Sequence, residues 1–181
     1  MLYIVLIIIV LVIGYVVYTY NEMVKLRNMV KEQWSQIDVL LKRRSDLIPN
    51  LVEVVKGYAE HESNTLEEVV NARNKMMNVQ SKEEEIEVVK EMSNSLTKLL
   101  AIAESFPELK ANTNYLNLQE NLQETEDKIS YARQFYNDAV LKYKNKIEIF
   151  PGSMIASLFK FESEPFFEVS DSERDVPKIK L

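Results

Sequence analysis

WSQIDVLLKRRSDLIPNL, residues Trp34 to Leu51, reads as the end of one helix, a tight reversal and the start of the next. Trp34, Ile37 and Leu41 fall at i, i+3 and i+7, which sets them on one helical face, and Lys42, Arg43 and Arg44 follow where cations suit a helix C-terminus. The first helix is therefore expected to stop near Arg44. Ser45 or Asp46 then offers a side-chain oxygen to cap a second helix, whose first turn tolerates Pro49 because amides there have no intrahelical partner. A helical hairpin is the starting point of the fold.

Working outward, composition agrees with helices throughout. The 181 residues contain only 3 Gly, too few for the tight turns of an all-β fold. Pro49, Pro107, Pro151, Pro165 and Pro177 stand where the helical pattern starts, stops or has already ended. With 22 Lys+Arg against 28 Asp+Glu the net charge is −6. The cations are scattered, which argues against nucleic acid as a partner. Absence of Cys excludes disulfides and thiolate metal sites.

Toward the N-terminus, Leu2–Tyr20 carries no charged side chain. At 1.5 Å per residue it is long enough for a hydrocarbon core of about 30 Å, with Tyr15, Tyr18 and Tyr20 gathered at one end as interfacial aromatics. A cleaved signal peptide is the competing reading. It lacks a basic segment before Leu2, and Tyr18-Thr19-Tyr20 is no small-residue cleavage pattern, so residues 1–20 are read as an uncleaved anchor in the lipid bilayer. Lys25, Arg27 and Lys31 come after the span, which places the N-terminus outside and the bulk of the chain in the cytoplasm of a single-pass cell-membrane protein.

From Met23 the apolar positions Leu26, Val30, Trp34, Ile37 and Leu41 run at spacings of three and four. A second helix from about Leu47 to Asn78 has Val55, Tyr58, Thr65, Val69, Ala72 and Met76 in register with Glu62. Gly57 within it implies a close helix crossing. Ser81 and Glu84 form a capping box that opens a third helix with a Val89, Met92, Leu96, Leu99, Ala103 and Phe106 seam. Ser105-Phe106-Pro107 breaks it, and Asn112-Thr113-Asn114 caps a fourth. That helix holds Tyr115, Leu118, Leu122, Thr125, Ile129, Ala132, Tyr136, Ala139 and Tyr143 in an unbroken three-four, coiled-coil-like register.

These features predict an all-α protein: an N-terminal transmembrane helix followed by an up-and-down bundle of four long antiparallel helices over residues 21–150. Residues 151–169 make a short amphipathic, membrane-proximal segment. Its Met154, Ile155, Leu158, Phe159, Phe161, Phe166 and Phe167 either lie at the membrane interface with Tyr18 and Tyr20 or close the open end of the bundle core. Residues 170–181 are polar enough to expect disorder.

Little chemistry stands out. His61 is the single histidine, and Tyr58 occupies the place of the Glu that a Glu-x-x-His metal motif requires. No nucleophile with a partnered base and no glycine-rich phosphate loop exists, so neither a cofactor nor an enzymatic activity is expected. Lys42, Arg43, Arg44, Asp46 and Asn50, with Glu108, Lys110, Asn112 and Asn114 from the other turn at the end far from the span, form a candidate partner surface. For Lys42, Arg43, Arg44, Asp46 and Asn50 the favoured reading is a helix C-cap with charge pairing across the hairpin.

Tyr20–Glu62, with FPELKAN from Phe106 to Asn112, LQENLQETEDKISYARQFYNDAV from Leu118 to Val140 and IFPGSMIA from Ile149 to Ala156, resembles the LemA family. Leu40-Leu41 departs from the more usual Gln there. The resemblance implies a bacterial-type membrane protein with one N-terminal span, a short outside N-terminus and a cytoplasmic bundle of long helices, and it brings no catalytic residue. The expected role is a scaffold or protein-interaction module with an unknown protein partner or a second copy of itself. The rivals are a metal-binding bundle enzyme using His61 and nearby Glu residues, and a membrane-remodelling protein using the Phe-rich segment.

Overall fold

The structure is a computed structural model that describes residues 1–59 and 62–167. It is all-α among the described residues: α1 (Leu2–Lys56), α2 (Ser63–Met76), α3 (Lys82–Glu104), the single turn α4 (Pro107–Lys110), α5 (Thr113–Glu148) and α6 (Gly152–Leu158). His61 and the tail over residues 170–181 lie outside the described residues.

The largest departure from the sequence reading is α1, which does not stop at Arg44. It continues as one helix of 55 residues with Pro49 inside it. The buried seam shows why: Val30, Trp34, Ile37, Leu41, Arg44, Ile48, Leu51 and Val55 alternate spacings of four and three without a break, and all are buried. Arg44 occupies a core position within that seam rather than a helix end. An interior proline costs about 3 kcal/mol or more, because its i−4 carbonyl loses a donor. Here that carbonyl belongs to Ser45, and the Arg73 Nε of α2 donates to it at 3.0 Å. A hydrogen bond from a charged donor returns about 1.5–3 kcal/mol, and burial of Leu51 and Val55 beyond the proline adds about 1.5–3 kcal/mol each. The helix therefore passes through Pro49.

The reversal falls instead between the end of α1 at Lys56 and the start of α2 at Ser63. Gly57 comes directly after the last residue of α1, and a Cβ there would meet only the Val54 carbonyl oxygen at 3.5 Å, an ordinary contact. The close crossing expected at Gly57 is absent.

The chain divides into two compact units. One holds Asp38–Tyr131 together with Phe167, and contains the second part of α1, all of α2, α3 and α4, and the first half of α5. Here four helices enclose a core of Ile48, Leu51, Val55, Leu66, Val69, Met92, Leu96, Leu99, Leu109, Tyr115 and Leu122. Ion pairs Lys75–Glu91 at 2.6 Å and Lys98–Glu68 at 2.8 Å mark the antiparallel register of α2 and α3. Ser81 caps α3 by accepting from the Glu84 amide, and Glu84 accepts in return from the Gln80 amide. Asn112 caps α5 by accepting from the amides of Asn114 and Tyr115, and its side-chain amide donates to the Tyr58 hydroxyl, tying the two turns of this unit together.

The other unit holds Met1–Ile37 and Ala132–Phe166. The first part of α1 and the second half of α5 meet there through Trp34 and Tyr136, edge to face at 5.0 Å. Past α5 the Phe150–Pro151 peptide is cis, and α6 is seated closely. A Cβ on Gly152 would collide with the Lys146 carbonyl oxygen, and Met23 Cε is 3.3 Å away. α6 ends with Lys160 in the left-handed region at φ 54°, while the Phe161 amide donates to the Ala156 carbonyl at 2.9 Å. The segment then passes Tyr136, whose hydroxyl donates to the Pro165 carbonyl at 2.7 Å.

Candidate functional site

Within the four-helix unit the polar residues assemble into one cross-section to which every long helix contributes. The Arg44 side chain is fully buried. Its Nη1 donates to both Glu126 oxygens on α5, at 2.9 and 3.2 Å, and to Ser93 Oγ on α3 at 3.1 Å. One residue on, the Ser45 carbonyl takes the Arg73 hydrogen bond from α2. Buried Thr125 and Ser95 turn their hydroxyls back onto their own helices, bonding the Asn121 carbonyl and the Glu91 and Met92 carbonyls respectively. The structure corrects the place of Arg44 in the expected partner surface, since a wholly buried guanidinium committed to Glu126 is not accessible to a partner.

The rest of the expected surface divides. Lys42 pairs with Asp46 one turn away at 2.6 Å, and Arg43 reaches Glu124 at 2.9 Å; all four are exposed, and such pairs contribute little to stability. None of these lies at the end of a helix, because α1 continues beyond them. Asn50 and Asn114 line one shallow groove of about 350 Å³ with Glu53, Val54, Asn117 and Leu118. Glu108 and Lys110 are exposed on α4, and Asn112 is committed to capping α5. A broader polar groove of about 890 Å³ runs along the α2–α3 face, past Asn71, Asn74, Asn78 and Asn94.

A carboxyl pair missed from sequence sits where α1 meets α3. Asp38 and Glu85 hydrogen-bond to each other with Lys82 nearby. Partial desolvation, then the neighbouring Asp38 charge, push Glu85 up to about 7, and desolvation also raises Asp38. Two carboxyls that hydrogen-bond to each other share a proton more readily than they both ionise. Among the described residues no group of three or more His, Asp or Glu is arranged to hold a metal ion.

In the other unit, Leu2–Tyr15 is exposed throughout, and α1 is the one described helix long and apolar enough to cross a membrane. At the end of this apolar run, Tyr20 packs edge-on against Phe159 at 4.8 Å and Phe161 at 5.6 Å. Arg27 lies over Phe161 at 5.1 Å, Lys144 over Phe166 at 5.6 Å and Lys146 over Tyr18 at 5.8 Å. The residues expected at a membrane interface separate into two sets. Ile155 and Phe167 are buried, which corrects their assignment to a lipid-facing surface; Phe161 and Phe166 are half-buried. Tyr18, Met154, Leu158 and Phe159 remain exposed, with Ile149 and Phe150 beside them.

An exposed apolar helix that runs on into the first seam of an all-helical bundle defines a class: helical proteins with an N-terminal segment long and apolar enough to enter a bilayer. The chain belongs to the LemA family, whose sequence profile matches residues 33–181. It is similar to Protein LemA of Metamycoplasma hominis, 26% identical over 155 residues that cover 85% of this chain and 71% of that one. It is also similar to the magnetosome proteins MamQ 1 and MamQ 2 of Paramagnetospirillum magneticum, each 29% identical over 75 residues. Those matches span 41% of this chain and 28% of each relative.

The polar geometry makes two outcomes measurable. Glu126→Ala leaves the Arg44 guanidinium buried without its carboxylate. Because Glu126 is one-third exposed, the expected loss is about 1–3 kcal/mol, below the 3–5 typical of a fully buried pair. Arg44→Met with Glu126→Leu removes charge and partner together and restores most of that loss in urea unfolding; a double variant as unstable as Glu126→Ala contradicts the pairing. For Glu85 the folded value is raised from 4.5 to about 7. The stability it contributes is therefore fully present below about 4.5 and lost as pH rises through about 7. After screening this amounts to about 1–2 kcal/mol, and Glu85→Gln removes that pH dependence in unfolding curves between pH 4 and 8.

Proposed function

We propose that the protein is a membrane-tethered helical scaffold, a non-enzymatic protein-interaction module whose bundle stands in the cytoplasm. The observation that carries this reading is the make-up of α1. Its first four turns are apolar and exposed on every side, an area of uncovered hydrocarbon far beyond what a protein in water sustains, and the same helix goes on to form the seam of the bundle. Lys25, Arg27 and Lys31 just beyond the span favour the cytoplasmic side for the helices C-terminal to it. Tyr18, Met154, Leu158 and Phe159 then meet the headgroup region.

Interaction with a protein partner or a second copy of the chain is supported by exposed polar surfaces: Glu108 and Lys110 on α4, the Asn50–Asn114 groove and the asparagine-rich α2–α3 groove. A membrane-remodelling role draws on a separate observation, the exposed Ile149, Phe150, Met154 and Leu158 beside the span, which form an apolar wedge of the kind that inserts between headgroups.

The test is made in cells with the full chain. It stays with the membrane through an alkaline wash, a C-terminal fluorescent reporter matures on the cytoplasmic side, and removal of residues 1–20 releases it. A photo-reactive residue at Lys110 or Asn114 gives discrete adducts to another protein or to a second copy. Release by the alkaline wash overturns the anchor, and absence of any adduct from either site overturns the scaffold.

A further inference from the structure

At the base of the unit formed by Met1–Ile37 and Ala132–Phe166 is a groove of about 320 Å³ between α1 and the end of α5. Its polar wall is Lys142, Asn145 and Lys146, and its apolar wall is Tyr15, Ile149 and Phe150. Lys142 and Lys146 stand one turn apart on α5 and Ile149 follows directly after its end, so the chain changes from cationic to apolar within two turns' length. Thr19 also lines the groove. It is 1% exposed, and its buried hydroxyl Oγ1 has no hydrogen-bond partner within the protein. A buried hydroxyl without a partner is unfavourable, so a groove lined by Thr19 together with Lys142, Lys146 and Asn145 is suited to an oxygen-rich anion. Among the described residues, neither Lys142 nor Lys146 forms an ion pair with a carboxylate; Lys146 lies over the Tyr18 ring.

We propose that this groove binds the phosphate of an anionic phospholipid. The phosphodiester oxygens accept from Lys142, Lys146, Asn145 and the Thr19 hydroxyl, and the acyl chains descend past Ile149 and Phe150 along the exposed apolar face of α1. The lipid is favoured over free phosphate because the polar wall gives way directly to exposed Tyr15, Ile149 and Phe150, a continuity that a small ion does not use. The inference rests on the anchored reading of α1.

The experiment uses the full chain extracted in mild detergent from vesicles made of equal parts phosphatidylglycerol and phosphatidylcholine, with retained lipid identified by native mass spectrometry. The expected result is preferential retention of phosphatidylglycerol. Lys142→Gln with Lys146→Gln reduces that preference about tenfold or more, as two lysines at an anionic surface should. Thr19→Val weakens it several-fold, and Thr19→Ser preserves it. Circular dichroism checks that all variants keep their helical content. Equal retention of the two lipids, or no change in the double-lysine variant, overturns the proposal. So does displacement of the lipid by millimolar inorganic phosphate, which identifies a free-phosphate site instead. An alkaline wash of the same membranes separates this from failure of the anchor: the double-lysine variant stays with the membrane while losing its lipid, whereas release of the unmodified chain overturns the anchored reading on which the proposal stands.

Discussion

A buried guanidinium constrains its surroundings more than any apolar side chain does, and Arg44 is that constraint here. It cannot shed its charge, and placing it unpaired in the core would cost several kcal/mol. Glu126 must therefore lie opposite it, and Ser93 must supply a further acceptor. That requirement fixes α1 against α5 and α3 at one level, where a seam of leucines and isoleucines would tolerate slippage by a turn. Arg73, bonded to the adjacent Ser45 carbonyl, fixes α2 at the same level. A polar layer of this kind specifies register at some cost in stability. Pro49 belongs to the same arrangement, because the carbonyl it leaves open is the one Arg73 needs.

The other unit solves a different problem with aromatic rings. Trp34, Tyr136, Tyr20, Phe159 and Phe161 join α1, α5 and the segment after α6, with cations from Arg27, Lys144 and Lys146 on ring faces. Rings with a wet side and an apolar side suit the boundary between a bilayer and water. The close seating of Gly152 under the Lys146 carbonyl draws α6 against this base and leaves Met154 and Leu158 facing outward.

Periodicity made most of the helical seams legible in the sequence. All nine seam positions of α5 from Tyr115 to Tyr143 are buried or half-buried, and Ser81 and Asn112 cap as expected. What misled was chemistry read locally: Lys-Arg-Arg followed by Ser-Asp and a proline satisfies every rule for a helix end. The contrary signal was present, since Leu41, Arg44, Ile48, Leu51 and Val55 keep the alternation of three and four, but it counts only if a charged residue is admitted to the core. Glu126 could have been sought one residue from the polar seam position Thr125. The Asp38–Glu85 pair had no such signal, because its partners stand on α1 and α3, with the whole of α2 between them and no recognisable spacing. The lysine-lined groove was hidden for the same reason.

Continuity of α1 through Pro49 is the claim on which both the Arg44 layer and the placement of the first reversal depend. Amide hydrogen exchange on the full chain in lipid nanodiscs reads it directly. Slow exchange at Ser45, Asp46, Leu47 and Ile48, comparable with that of Ile37 and Leu41, with fast exchange beginning only at Gly57, is the predicted result. Fast exchange between Arg44 and Asn50, with slow exchange restored through Gly57 and Tyr58, would place the reversal at Pro49 and contradict the continuous helix.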